Sequence, residues 1–216
     1  MRVHALVLAV ASVIVAGAVP AEAVPVIENG SFENGMADWV MKYNGGTIQA
    51  VTHHDGVAPS GYSDPMSWDP THGDYFALLC AGDRNKLVSI GQSFTLAEPG
   101  KLCFDWFFDS GQGECQLLRY DDTAGGALDG ELLFKIQASC LPDPWGATPW
   151  RSECIALEPG SYTLKFGVKN VRDDNNDSYL GIDRVHVRVI PEPLTALAVG
   201  AAMCGLAAYI HRRRLA

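Results

Sequence analysis

The chain has 216 residues and a formal net charge of −9 at pH 7, from 25 acidic and 16 basic side chains. An acidic surface repels phosphate backbones, so the composition disfavours nucleic-acid binding. None of the six cysteines forms a C-x-x-C pair, which excludes the commonest zinc and thiol-redox motifs.

The first 23 residues are predicted to be a secretory signal peptide. Arg2 supplies a positive charge, Ala5–Val19 is apolar, and a small-x-small cleavage site ends at Ala23. The mature chain is therefore expected to begin at Val24. Export to an oxidising compartment permits disulfides.

The sequence predicts that residues 24–189 form one domain made of β-strands. Short apolar or alternating runs are separated by Gly, Pro, Asn and Asp, with clear turns at Glu98-Pro99-Gly100 and Glu158-Pro159-Gly160. The Gly-rich stretch Asp121–Gly130 is predicted to be the tip of a long hairpin. The expected fold is all-β, an antiparallel jelly-roll β-sandwich. The predicted strands are Val24–Glu28, Gly46–Thr52, Asp74–Cys80, Leu87–Leu96, Lys101–Asp109, Cys115–Tyr120, Leu132–Ala138, Trp150–Leu157, Gly160–Asn170 and Leu180–Ile190.

Five cysteines lie in this domain, and an odd number leaves at least one thiol free or paired between chains. Cys140 and Cys154 flank a loop with Pro and Trp and are predicted to form a disulfide. Pairing of Cys115 with Cys140 across a hairpin is the alternative.

Motifs at both ends of the domain resemble those of galactose-binding-like jelly rolls, which include carbohydrate-binding modules. They run from Asn-Gly-Ser-Phe-Glu, ending at Glu33, to Gly-Ile-Asp, ending at Asp183. The resemblance implies that these two carboxylates meet at a structural calcium ion, which prefers oxygen ligands. Arg184 stands where that family commonly has Asn. The alternative is that Glu33 is a solvated charge and that Asp183 pairs with Arg184 or caps a turn.

Catalytic and transition-metal motifs are missing from the sequence. His53 and His54 are neighbours on a predicted strand, so they point to opposite faces and cannot share a metal site without a bulge. No nucleophile elbow, phosphate loop or H-E-x-x-H motif occurs. The chain is predicted not to be an enzyme. The carboxylate pairs Asp105/Asp109 and Asp121-Asp122 keep a glycan-active hydrolase as an alternative.

Two of the five tryptophans, Trp68 and Trp145, lie in loops that contain Pro and Asp. An indole held in a rigid loop offers a flat apolar face for stacking on a sugar ring. The alternative is that both rings pack their loops against the sandwich.

The C-terminal residues 190–216 have three parts. Pro191-Glu192-Pro193 precedes the uncharged run Leu194–Ile210, which would form a helix about 25 Å long, close to the span of a hydrocarbon core. Arg212, Arg213 and Arg214 follow and favour the cytoplasmic side.

This order of parts resembles the PEP-CTERM sorting signal. In that family an exosortase reads the tail and is thought to remove it during delivery to the cell surface. The resemblance implies a precursor held transiently in the inner membrane and a product at the cell surface or outside the cell. An ordinary tail anchor is the alternative.

The sequence thus predicts an exported structural or adhesive protein of the cell surface or an exopolysaccharide matrix. A specific carbohydrate-binding module is the first alternative, and a hydrolase with an unrecognised site is the second. Calcium is the one cofactor implied, and the exosortase and extracellular polysaccharide are the expected partners.

Overall fold

A computed structural model describes residues 27–58, 66–113, 120–142, 145–172 and 176–189. The predicted signal peptide, the Pro-Glu-Pro motif, the predicted transmembrane helix and the three terminal arginines lie outside the described residues. Within the described ranges, no helix has the length and hydrophobicity that a membrane crossing needs.

Two five-stranded antiparallel sheets form the domain. Sheet A has the strand order β1-β6-β11-β8-β9, and sheet B has the order β10-β7-β12-β5-β2, once the strands are numbered along the chain. A third, two-stranded sheet pairs β3 with β4. The strands are β1 (Val40–Lys42), β2 (Thr47–Val51), β3 (His54–Asp55), β4 (Ser67–Trp68), β5 (Phe76–Cys80), β6 (Val88–Leu96), β7 (Gly100–Asp109), β8 (Thr123–Leu128), β9 (Glu131–Gln137), β10 (Arg151–Leu157), β11 (Gly160–Lys169) and β12 (Tyr179–Val189).

The main core lies between the two sheets because their strands alternate apolar and polar side chains. On β11, Leu164, Phe166 and Val168 are buried, whereas Lys165 between them is exposed. Aromatic rings join the two layers: Phe104 of sheet B meets Phe166 of sheet A edge to face, with ring centroids 5.0 Å apart. The expected all-β antiparallel sandwich is confirmed.

A second, smaller cluster covers the outer face of sheet B. The covering segment, residues 53–58 and 66–75, includes β3 and β4 and places Trp68 on Phe107, with ring centroids 4.3 Å apart. Phe76, Leu78 and Trp150 pack around the same rings. The covering segment therefore buries the outer face of sheet B around Phe107, while Ala156 of β10 and Arg188 of β12 stay exposed, and the outer face of sheet A is open.

Most predicted strands are found within a few residues of their expected bounds. The main correction is the stretch Asp121–Gly130, because β8 occupies Thr123–Leu128 and pairs with both β11 and β9. Ile27 and Glu28 lie in a turn rather than a strand. Of the predicted strand Cys115–Tyr120, only Tyr120 falls among the described residues, and it is not in a strand.

The disulfide prediction is also wrong. Cys103 of β7 bonds to Cys154 of β10, where the two residues are directly opposite in register and their Cα atoms are 4.2 Å apart. Cys140, predicted to bond with Cys154, is a free and exposed thiol. Sequence spacing could not reveal that β7 and β10 are neighbours in the sheet. Cys115, the other predicted partner of Cys140, lies outside the described residues.

Removal of this bond in the Cys103→Ala/Cys154→Ala variant is expected to lower the free energy of unfolding by about 2–4 kcal/mol. The two cysteines are 51 residues apart in the sequence, so reduction releases a long loop in the unfolded chain. Urea titration under non-reducing conditions measures the change. Cys140→Ser is the matched control and is expected to unfold like the wild type. A loss of stability in Cys140→Ser instead would contradict the assigned pairing.

Candidate functional site

Three aspartates, Asp105, Asp109 and Asp183, are at most 2% exposed on the outer side of sheet B, beneath the covering segment. Burial of a carboxylate is costly unless donors satisfy it. Each of the three has such donors, and the covering segment supplies many of them. These contacts explain why the segment lies where it does.

Asp183 fixes the middle of the covering segment. Its Oδ2 accepts hydrogen bonds from the Thr71 and His72 backbone N–H groups, at 2.6 and 2.9 Å, and lies 2.9 Å from the Thr71 hydroxyl. Its Oδ1 accepts from the Arg184 backbone N–H. Burial raises the pKa of the Asp183 carboxyl, while these backbone and hydroxyl donors act to lower it.

Asp105 lies opposite Asp183 in the β7–β12 pairing. The Arg184 guanidinium reaches it through Nε at 2.9 Å and a terminal nitrogen at 3.1 Å. The Thr71 hydroxyl lies 2.7 Å from Asp105 Oδ2, and the Ser152 hydroxyl donates to Asp105 Oδ1. Of the alternatives to a calcium site, the ion pair of Asp183 with Arg184 is not formed, because the Arg184 guanidinium bridges to Asp105, whereas Asp183 accepts from the backbone of the covering segment.

The two adjacent histidines point in opposite directions, as expected from strand geometry. His54 lies inward, where its Nε2 is 2.9 Å from the buried Asp109 carboxylate. His53 lies outward between Asp69 and Asp55, at 2.8 and 3.0 Å. Hydrogen bonds to Asp69 and then Asp55 raise the pKa of His53 above its usual 6.5. Among the described residues, no group of three or more His, Cys, Asp or Glu side chains is arranged so that it could hold a metal ion.

Glu33 and Asp183 reach the same covering segment at different points. The Glu33 Oε1 accepts from the Asp74 and Tyr75 backbone N–H groups, at 2.9 and 3.1 Å. Two backbone N–H groups donate to the Glu33 Oε1 and two to the Asp183 Oδ2, so neither of these oxygens has a free lone pair for a cation. These contacts do not fit the calcium site that the resemblance implies, and calcium binding stays a prediction.

The two candidate stacking tryptophans lie in different environments. Trp68 is 2% exposed, packs on Phe107, and donates its Nε1–H to the Thr148 carbonyl at 3.1 Å. The prediction that Trp68 stacks on a sugar is therefore wrong. Trp145 is half-buried, and its indole packs so closely over Gly113 that a Cβ there would lie 2.9 Å from Nε1.

The carboxylate pairs considered for hydrolysis are engaged in structural contacts. Asp109 accepts from the Val57 backbone N–H as well as facing His54. Asp121 accepts from the Ser139 backbone N–H and hydroxyl. Asp122 is buried, and its Oδ2 accepts hydrogen bonds from the Gln112 side-chain amide and the Ser178 hydroxyl.

One accessible surface that could hold a ligand is the outer face of sheet A. Two shallow depressions of about 350 and 580 Å³ lie side by side on it and share residues of β6 and β11. One cross-strand row through them reads Lys42, Ser89, Gly167, Gly125 and Lys135. We call this row the trough, because lysines flank three residues with little or no side chain.

Glycine forms the floor of the trough where the strands leave no room for a side chain. A Cβ at Gly125 would lie 2.8 Å from the Phe134 carbonyl oxygen, and one at Gly167 would lie 2.8 Å from Leu87. Hydroxyl groups of Ser93, Thr123 and Thr163 line the neighbouring positions. One sign of this surface is visible in the amino-acid sequence, namely the alternation of Ser, Thr, Gly and Lys with apolar residues along β6 and β11.

Comparisons with solved structures find sandwiches that resemble this one. TmCBM61, solved with β-1,4-galactotriose, matches with 15% identity and a TM-score of 0.45 over 77% of this chain and 99% of that one. The K3 adhesin domain of Lys-gingipain from Porphyromonas gingivalis W83 matches with 14% identity and a TM-score of 0.46, over 76% and 97%. A family 16 carbohydrate-binding module matches with 18% identity and a TM-score of 0.38, over 76% and 99%.

At these scores the similarities carry no argument about ligand or activity. No protein-family model matches the chain, and no curated protein matches it.

Asp183→Ala is expected to lower the free energy of unfolding by about 2–4 kcal/mol, since it leaves the Thr71 and His72 N–H groups without their acceptor. We expect the same loss in calcium and in EDTA, measured by urea titration. Asp74→Ala, an exposed aspartate in the same segment, is the control and should change little. A calcium-dependent gain in the wild type that both Glu33→Ala and Asp183→Ala abolish would support the calcium site.

Proposed function

We propose that this chain is an exported, non-catalytic protein of the cell surface or extracellular matrix that holds polysaccharide on the outer face of sheet A. The observation that carries the proposal is the contrast between the two outer faces. The covering segment and its aromatic cluster cover the outer face of sheet B around Phe107. The outer face of sheet A is open, shallow and lined by hydroxyl groups, glycine backbone, lysines and the exposed apolar side chains Val40, Leu87 and Leu132.

This surface suits an extended polymer better than a small molecule. The two depressions are continuous across β6 and β11, and open strips of Ser93, Thr95, Ser161 and Thr163 extend them along the strands. Hydroxyl and backbone groups form hydrogen bonds with sugar hydroxyls, and the glycine positions let a polysaccharide chain approach the sheet closely. The many weak contacts of such a surface suit adhesion.

The proposal includes delivery by the C-terminal tail. The order Pro-Glu-Pro, apolar run and triple arginine supports processing by an exosortase after insertion in the inner membrane. The folded domain would then act outside the cell, where the Cys103–Cys154 bond is stable.

Ser89→Tyr is expected to weaken polysaccharide binding roughly ten-fold, a loss of about 1.4 kcal/mol, because the ring would fill the trough. Ser89 lies between Lys42 and Gly167 in the cross-strand row, and tyrosine is well tolerated on strands. Retention of the purified domain on exopolysaccharide from its own host, measured by affinity electrophoresis, gives the value.

Ala156→Tyr is the matched control, since Ala156 is exposed on β10 of the opposite sheet. It should bind like the wild type. Failure of the wild type to bind any polysaccharide would overturn the proposed function. Loss of binding in Trp145→Ala with Ser89→Tyr unaffected would move the site to the Trp145 loop and favour a specific carbohydrate-binding module. Turnover of chromogenic glycosides would instead favour the hydrolase.

Mass spectrometry of the protein from its native host is expected to find a mature chain that begins at Val24 and lacks residues beyond Pro193. The signal-peptide pattern sets the first end and the sorting motif sets the second. A mature chain that keeps Leu194–Ile210 would contradict processing by an exosortase and would indicate an ordinary tail anchor.

A further inference from the structure

We infer that the outer face of sheet A binds an acidic polysaccharide, one whose sugars carry carboxylate or sulfate groups. The inference rests on the proposed function, and it names the chemical class of polymer that this face selects. Three observations carry it: the distribution of charge between the strands, the positions of the lysines across the sheet, and their freedom from carboxylate partners.

Charge is distributed unequally between the two sheets of an acidic protein. The five strands of sheet A contain a single carboxylate, Glu131 at the first position of β9. The same strands contain four lysines, Lys42, Lys135, Lys165 and Lys169. The strands of sheet B carry four carboxylates, three of them the buried aspartates that fix the covering segment, and four basic side chains, so their charges balance. The open face is therefore basic while the chain as a whole has a charge of −9.

The lysines are spaced across the whole width of the open face. Lys42 and Lys135 stand at the two ends of the trough, on the edge strands β1 and β9. Four strand spacings separate them, which is about 19 Å. Lys165 and Lys169 lie on the central strand β11, two residues before and two residues after Gly167 of the trough. A polymer lying across the sheet would meet positive charge at both edges and at the centre.

These lysines have no competing carboxylates nearby. No Asp or Glu lines either depression, although Lys42, Lys135, Lys165 and Lys169 all do. None of the four forms an ion pair with a described carboxylate, whereas Lys86, outside the sheet, pairs with Asp83 at 2.7 Å. Their ammonium groups are thus available to a ligand that brings its own negative charges.

Shape favours a polysaccharide over other polyanions. A polymer of sugars can follow the glycine floor of the trough and offer carboxylates to the lysines and hydroxyls to Ser89 and Ser93. A membrane surface is too broad to enter the trough. Duplex nucleic acid carries about one negative charge per 1.7 Å, more than a polysaccharide with a single carboxylate on each sugar, so the acidic remainder of the protein repels it more strongly. Screening by salt reaches exposed charges of this kind, so binding should weaken as ionic strength rises.

The test compares polygalacturonate with the same polymer after full methyl esterification, which removes the charge and keeps the backbone. Alginate and hyaluronate are further acidic probes, and dextran is a neutral one. We expect the mature domain to bind at least one acidic polymer, to lose that binding with added salt, and to bind the esterified polymer at least ten-fold more weakly. In the Lys42→Gln/Lys165→Gln variant, affinity for the acidic polymer should fall roughly ten-fold.

The matched control is Lys101→Gln/Arg188→Gln, which removes the same two charges from exposed positions paired on sheet B. It should bind like the wild type. Equal loss in both variants would show attraction by net charge alone and would overturn the inference.

Two further outcomes separate this inference from the proposed function. Binding of neutral polymers that Ser89→Tyr abolishes, without preference for acidic ones, would overturn the inference and leave the proposed function standing. Binding to no polymer at all would remove both. Retention on phosphatidylglycerol vesicles in place of the acidic polymers would also overturn the inference.

Discussion

Burial of charge on one face of sheet B is the constraint on which the rest of the structure depends. Asp105, Asp109 and Asp183 are enclosed, and an enclosed carboxylate without donors would destabilise the fold by several kcal/mol. The covering segment supplies donors through Thr71, His72 and His54, among others. Its position is therefore fixed by polar contacts, and the packing of Trp68 on Phe107 adds to them.

This arrangement gives the two sheets different roles. Sheet B is covered on its outer face around Phe107 and holds the disulfide between β7 and β10. Sheet A shares its inner face with the core and leaves its outer face to solvent. The carboxylate pairs considered for hydrolysis are hydrogen-bonded within the protein, whereas the outer face of sheet A presents hydroxyls, glycine backbone, lysines and exposed apolar side chains.

The sequence predicted the layers of the fold but not their connections. Turn residues at Pro99 and Pro159 separate β6 from β7 and β10 from β11 as expected. The strand β8 was predicted as a loop because it contains two consecutive glycines. Gly126 faces inward, where a Cβ would lie 2.7 Å from the Phe134 ring, so close aromatic packing selects glycine there. Local pattern cannot distinguish a glycine required by packing from one required by a turn.

Long-range contacts also explain the errors in the candidate site. Trp68 sits in a Pro- and Asp-containing stretch typical of exposed loops, and only its contact with Phe107 buries it. Cys103 and Cys154 meet because β10 joins the edge of sheet B beside β7, which no spacing rule predicts. By contrast, the opposite orientation of His53 and His54 follows from backbone geometry alone, and that prediction is confirmed.

The glycines beneath the trough have a consequence for how the sequence can change. Surface positions on a sheet ordinarily accept many residues, but Gly125 and Gly167 face outward and still have backbone or side-chain atoms within 3 Å of any added carbon. Substitution at these two positions is restricted by the atoms packed around them. Related chains could exchange the lysines of the edge strands, and so change the charge of this face, while Gly125 and Gly167 would be retained.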